Sequence, residues 1–155
     1  IKAYKKVIDK NLNKVDINLT VAGEVSQNRT LIEGLVKTIP YEKITFIDKY
    51  LDENEVEVLF STANLIVLPY RRSSASGPLH MALASNLRVI TSDVESLVEA
   101  TQLYSGIDYF RNEDVDHLAE KIVENIPKSH RTYPNPYTWD LASSNYLKAL
   151  EKGYN

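Results

Sequence analysis

Leu65-Ile66-Val67-Leu68-Pro69-Tyr70-Arg71-Arg72-Ser73-Ser74-Ala75-Ser76-Gly77-Pro78-Leu79-His80-Met81-Ala82-Leu83-Ala84-Ser85 is the stretch whose reading decides the fold. Its first residues form a short aliphatic run with no polar/apolar alternation, which predicts a strand buried on both faces. A polar loop follows. Ser76 or Gly77 then suits a helix N-cap, and Pro78 suits the first helical turn. The small apolar residues after it predict a helix over 78–85. Working outward, the same alternation recurs. Further β-rich runs lie at 17–22 (INLTVA), 44–47 (ITFI), 88–91 (RVIT) and 107–110 (IDYF). Helical stripes lie at 3–12, 27–39, 52–63 and 114–126, the third opening on Asp52, Glu53 and Glu55, which suit the positive end of a helix dipole. Strand and helix in alternation predict an α/β fold, a doubly wound, Rossmann-like parallel sheet of about five strands with helices on both faces. The simplest strand order is 2-1-3-4-5, with a switch point between 17–22 and 65–69.

The chain has 155 residues, 43% hydrophobic and 25% charged, with a net charge of −3 and no cysteine. That fits one domain over 1–126. The Pro-punctuated stretch after it and a helical pattern at 137–152 predict, over 127–155, a linker and a terminal helix that packs back on the domain or on a neighbour. Without cysteine there is no disulfide scaffold, thiolate metal site or Cys nucleophile, and a reducing, cytoplasmic setting fits. Mild acidity argues against a nucleic-acid partner. No apolar run approaches the ~20 residues of a membrane span. Residue 1 is Ile and opens inside a helical pattern, which predicts a piece of a longer chain.

In such sheets ligands bind beyond the carboxyl ends of the strands. Three segments converge there, 23–30, 70–78 and 92–99. The middle one is the most informative. Arg71 and Arg72 bring cations, Ser73, Ser74 and Ser76 bring hydroxyls, and the helix start brings backbone N–H groups, a set that suits a phosphate or a sugar. The plain alternative is a solvated capping loop whose arginines pair with local acids. Gly23 would let a ligand approach the backbone closely or simply make a tight turn. Neither a GxGxxG fingerprint nor a P-loop is present. His80, His117 and His130 lack metal-ligand spacing. Asp114-Val115-Asp116 matches a DxD string, but its place at a helix start favours dipole stabilisation over a metal.

Taken together, these blocks resemble the C-terminal domain of GT-B fold glycosyltransferases, in the large retaining "group 1" (family 4-like). The resemblance rests on Leu19-Thr20-Val21-Ala22-Gly23, Ile44-Thr45-Phe46-Ile47, the run 56–69 (VEVLFSTANLIVLP), the serine loop, Met81-Ala82-Leu83-Ala84-Ser85, Val89-Ile90-Thr91-Ser92, Glu99, the helix 114–122 (DVDHLAEKI) and Tyr137-Thr138-Trp139. It covers nearly the whole chain. It implies a domain that binds a nucleotide-diphosphate sugar, with an N-terminal, acceptor-binding domain elsewhere. It also implies hexose transfer with retention to a hydroxyl in glycan or polysaccharide synthesis, no metal or cofactor, and an inactive isolated fragment. That other domain leaves room for peripheral membrane contact.

The resemblance places donor and phosphate contacts at Gly23, Arg71, Arg72, Ser73, Ser74, Ser76, Gly77, Leu79, Met81 and Glu99, with the N–H groups near Ser76, Gly77 and Leu79 facing the diphosphate. It places the nucleobase pocket at Asp48, Lys49, Tyr50 and Leu51. No residue is assigned a catalytic role. The family's two donor glutamates fall on Ser73 and Met81, its glycine after the small-residue helix on Asn86, and its next proline on Arg88. A methionine cannot accept hydrogen bonds as a carboxylate does. A non-catalytic domain that has lost the donor site is therefore the alternative. A flavodoxin-like or receiver-like binding domain ranks third, because a receiver needs an Asp where this chain has Pro69-Tyr70. The family's first strand, between 17–22 and 65–69, has no counterpart. Either the two flanking strands pair directly, or a gap or borrowed strand lies between them.

Overall fold

The computed structural model describes residues 1–10, 16–73, 76–126 and 131–138. Its strands are β1 (Leu19–Ala22), β2 (Ile44–Ile47), β3 (Leu65–Leu68), β4 (Arg88–Ser92) and β5 (Ile107–Phe110). They alternate with helices α1 (Lys2–Asp9), α2 (Arg29–Val36), α3 (Glu53–Thr62), α4 (Gly77–Ala84), α5 (Glu95–Thr101) and α6 (Val115–Asn125). Every strand pair is parallel, and the chain is α/β as read.

The strands do not form one sheet. β2 pairs with β1, β3–β4–β5 form a second sheet, and among the described residues no ladder joins β1 to β3. The direct pairing within a 2-1-3-4-5 sheet is thus corrected to its two halves, with a gap at the expected switch point. What joins the halves is side-chain packing on α1. Ala3 and Val7 of α1 share a cluster with Ile17 before β1 and with Leu65 and Val67 of β3. Tyr4 Oη donates to the carbonyls of Ile17 (2.8 Å) and Lys43 (2.9 Å), tying α1 to the entry of both β1 and β2.

β4 is buried along its whole length and divides the core. Ile90 faces Ala3 and Val7 of α1, Phe110, and Leu118, Ala119 and Ile122 of α6. Its neighbour Val89 faces the other way, onto Leu79, Ala82 and Leu83 of α4, Leu97 of α5, and Tyr104. Adjacent strand residues point to opposite faces, so one strand nucleates both layers. Each buried aliphatic side chain contributes about 1.5–3 kcal/mol relative to exposure. The β1–β2 pair is thinner. Alternate β1 residues are exposed, and α2 buries none of its side chains.

Buried polarity is matched. Arg88 lies beside the β5 entry, where its Nε donates to Asn125 Oδ1 (2.6 Å) and its guanidinium pairs with Asp108 and sits 5.0 Å from the Tyr133 ring centroid. Asn86 adopts φ 56°, a left-handed conformation that Asn tolerates better than most residues, and this explains a glycine at that place in the family pattern. Asn86 also holds the tail. Its carbonyl accepts from Tyr133 N–H and its Oδ1 from Asn135 N–H, both at 3.0 Å. The terminal helix expected over 137–152 falls outside the described residues. One helix went unread in the sequence: α5 forms inside the expected loop 92–99, because its seven residues bury only Leu97 and Thr101 and leave too short a stripe to detect.

Candidate functional site

The serine loop leaves β3 at its carboxyl end and enters α4, whose N-cap is Ser76. Ser76 is 4% exposed. Its Oγ accepts from Leu79 N–H (3.1 Å) and donates to Tyr70 Oη (3.1 Å). The Leu79 N–H is taken by Ser76 Oγ, and the Leu79 side chain lies in the core. Gly77 stands at the exposed first turn, and Met81 lies one turn on, 38% exposed.

Backbone carbonyls of the loop are tied down by neighbouring elements. Ser92 Oγ at the end of β4 donates to Tyr70 O, and Ser96 Oγ in α5 donates to Ser73 O. Asn112 Nδ2, in the turn after β5, donates to Arg71 O at 3.0 Å. The same turn is braced from below. Asp93 Oδ1 accepts from Asn112 N–H, and His117 Nδ1 accepts from Arg111 N–H at 3.0 Å. Arg71 Nε pairs with Glu113 (2.7 Å), as the plain reading of the loop predicted. Arg72 is exposed, and no described residue pairs with its guanidinium. Ser74 lies outside the described residues. Glu99 is exposed on helix α5.

The nucleobase side forms a separate cluster at the carboxyl ends of β1 and β2. Gly23 has φ 132°, its N–H donates to Ile47 O (3.0 Å), and nothing lies within 4 Å of where a Cβ would stand. Asp48 is a clasp. It accepts from Val25 N–H (2.9 Å) and pairs with Arg29, joining the loops after β1 and β2. Lys49 pairs with Glu55, which keeps that carboxyl below its ordinary range, while Glu55 also accepts from Asp52 N–H. Leu51 is half-buried and Tyr50 is 83% exposed. Of these four, Asp48 and Lys49 have their charges paired within the chain, and Tyr50 presents an exposed ring. Among the described residues no hydrogen bond or ion pair joins this cluster to the serine loop.

Asp114 caps α6 by accepting from His117 N–H (2.9 Å), and Asp116 pairs with Lys6, so the DxD string is occupied in capping and pairing. Backbone hydrogen bonding from His117 holds the Asp114 carboxyl below its usual range. A hollow of about 410 Å³ lined by Val36, Lys37, Ile39, Tyr41, Ile44 and Phe46 opens at the amino end of β2, and its lining is mostly apolar.

The sequence reading places Ser92 and Ser96 in the converging segment 92–99 without giving either a partner, and gives no role to Asn112. Their roles depend on three strand ends meeting in space, and no spacing within one segment signals that.

Parallel strands alternating with helices, with polar loops at the carboxyl ends of the strands, define an α/β domain of the Rossmann-like class. The family described as glycosyl transferases group 1 matches residues 1–126, and the chain belongs to it. Among curated proteins, none matches by sequence. Among solved structures, sucrose-phosphate synthase (tll1590) from Thermosynechococcus elongatus is similar, with a TM-score of 0.66 and 22% identity. The match covers 84% of this chain and 34% of that one, and at this identity the likeness is one of fold. No helix among the described residues is long and apolar enough to cross a membrane.

Proposed function

We propose that this chain binds a nucleotide-diphosphate sugar and forms the donor side of a retaining hexosyl transfer to a hydroxyl acceptor, within glycan or polysaccharide synthesis in the cytoplasm. The observation that carries the reading is the serine loop, which stands at the carboxyl end of β3 and leads directly into the start of α4, with Arg72 beside it. In such a transfer the bond from the anomeric carbon to the diphosphate oxygen breaks, and negative charge builds on the leaving diphosphate. Cations and oriented N–H dipoles stabilise that charge. Arg72 and the first turn of α4 at Gly77 are the groups available here. Tyr50 offers an aromatic face to the base, and Gly23 leaves room beside it. The reading needs no metal or cofactor, and assigns the acceptor site to another domain.

The second reading, a domain that keeps the fold without the site, is favoured by Met81, an exposed thioether at a position where a carboxylate would be needed to bond ribose. Titration with uridine, guanosine and adenosine diphosphate hexoses, followed by calorimetry and amide chemical shifts, separates the two. Donor binding predicts saturation in the millimolar range or tighter, with shifts at Ser73, Ser76 and Gly77. Shifts absent from these residues for all three donors would leave only the scaffold.

A further inference from the structure

The loop that carries Arg72 is held in an unusual way. Of the four carbonyls of residues 70–73, three accept hydrogen bonds from side chains, each from a different element: Tyr70 O from Ser92, Arg71 O from Asn112 and Ser73 O from Ser96. None of these bonds belongs to a regular ladder or helix. Ordering a backbone residue costs about 1–2 kcal/mol, so an exposed loop without such ties would sample many conformations. The charges on the loop are also sorted. Arg71 is paired with Glu113 at the surface, while Arg72, next in sequence, meets no carboxylate or carbonyl among the described residues. The result is a fixed backbone presenting one free guanidinium.

We propose that Ser96 and Asn112 are positioning residues that hold Arg72 for a phosphate oxyanion of the ligand. This rests on the donor reading above and adds the device by which the chain compensates for its departures at Ser73 and Met81. A guanidinium forms its strong bidentate bonds to an oxyanion only when its fork is aligned. A loop ordered in advance also removes the ordering cost that binding would otherwise carry. Ser92, buried at the end of β4, completes the set but is also core, so it is less useful as a probe.

The test uses the full chain with Ser96→Ala, Asn112→Ala and Arg72→Gln, plus Ser96→Thr, which keeps the hydroxyl. The probes are inorganic pyrophosphate and uridine, guanosine and adenosine diphosphates, read by calorimetry. Backbone ¹⁵N relaxation reads the amides of residues 70–73. Arg72→Gln should weaken binding about tenfold to a hundredfold, the scale of one charge-assisted hydrogen bond. Ser96→Ala and Asn112→Ala should weaken it about fivefold to tenfold, raise mobility in residues 70–73 alone and leave the melting temperature nearly unchanged. Ser96→Thr should restore both readouts. If wild type binds but the Ser96 and Asn112 variants change neither affinity nor loop mobility, this inference fails and the donor reading stands. If wild type binds none of the four anions, both fail together.

Discussion

Tyr104 shows how one residue couples a core position to solution conditions. Its ring is 2% exposed, its hydroxyl donates to Leu87 O at 2.6 Å, and it lies against Tyr133, with ring centroids 6.4 Å apart. Burial, with a smaller contribution from Tyr133, pushes its pKa up to about 12 from 10.0. The folded protein thus keeps a proton that the unfolded chain releases first. The associated stability is complete below about pH 10 and is lost as pH rises toward 12. Tyr104→Phe should lose about 1 kcal/mol at neutral pH, because the Leu87 carbonyl is left without its donor. It should also show a shallower decline above pH 10, as read from urea midpoints taken across the alkaline range. None of this was legible in the sequence, where Tyr104 is one of 10 tyrosines and nothing marks it for burial. Asn86 was partly legible. Its departure from a family glycine pointed to that position, and the φ of 56° supplies the reason.

At the scale of elements, helix α3 carries its start signal in the sequence. Asp52 accepts from Glu55 N–H (2.9 Å), and Glu55 reaches back to Asp52 N–H (3.2 Å), a reciprocal capping box. Asp52→Ala should cost about 1 kcal/mol, measured by denaturant unfolding, because an orphan N–H at the helix start loses its acceptor. Caps of this kind read well from sequence because donor and acceptor lie three residues apart. The same holds for Ser76 on α4 and Asp114 on α6. Helix α5 did not read, since its two buried residues make no stripe until β4 and the Tyr104 cluster are in place around it. The candidate site divides along the same line. The loop 70–78 was visible as a motif, while Ser96 and Asn112 became visible only when the ends of β4 and β5 were set beside it.

At the scale of the whole molecule, the fold has two parts of unequal solidity. β4 is buried throughout and packs on both faces, whereas β1 and β2 form a two-stranded sheet with exposed positions, and α2 between them in the chain has no fully buried residue. Native-state hydrogen exchange should therefore rank the amides of Val89, Ile90 and Thr91 slowest, at the free energy of global unfolding. Val21 and Phe46 should exchange through a cheaper, sub-global opening. Equal protection in the two sheets would contradict this division. The class of fold, the five strands, their parallel direction and the location of the serine loop were all determined by the sequence itself. They follow from local chemistry: unalternated aliphatic runs, helical stripes and caps within a few residues of each other. Tertiary structure alone decided that β1 and β3 do not pair, that α1 joins the two sheets by packing, and which carbonyls of the loop are held. Those outcomes depend on contacts between residues far apart in the chain, whose partners are chosen by geometry after the elements have formed.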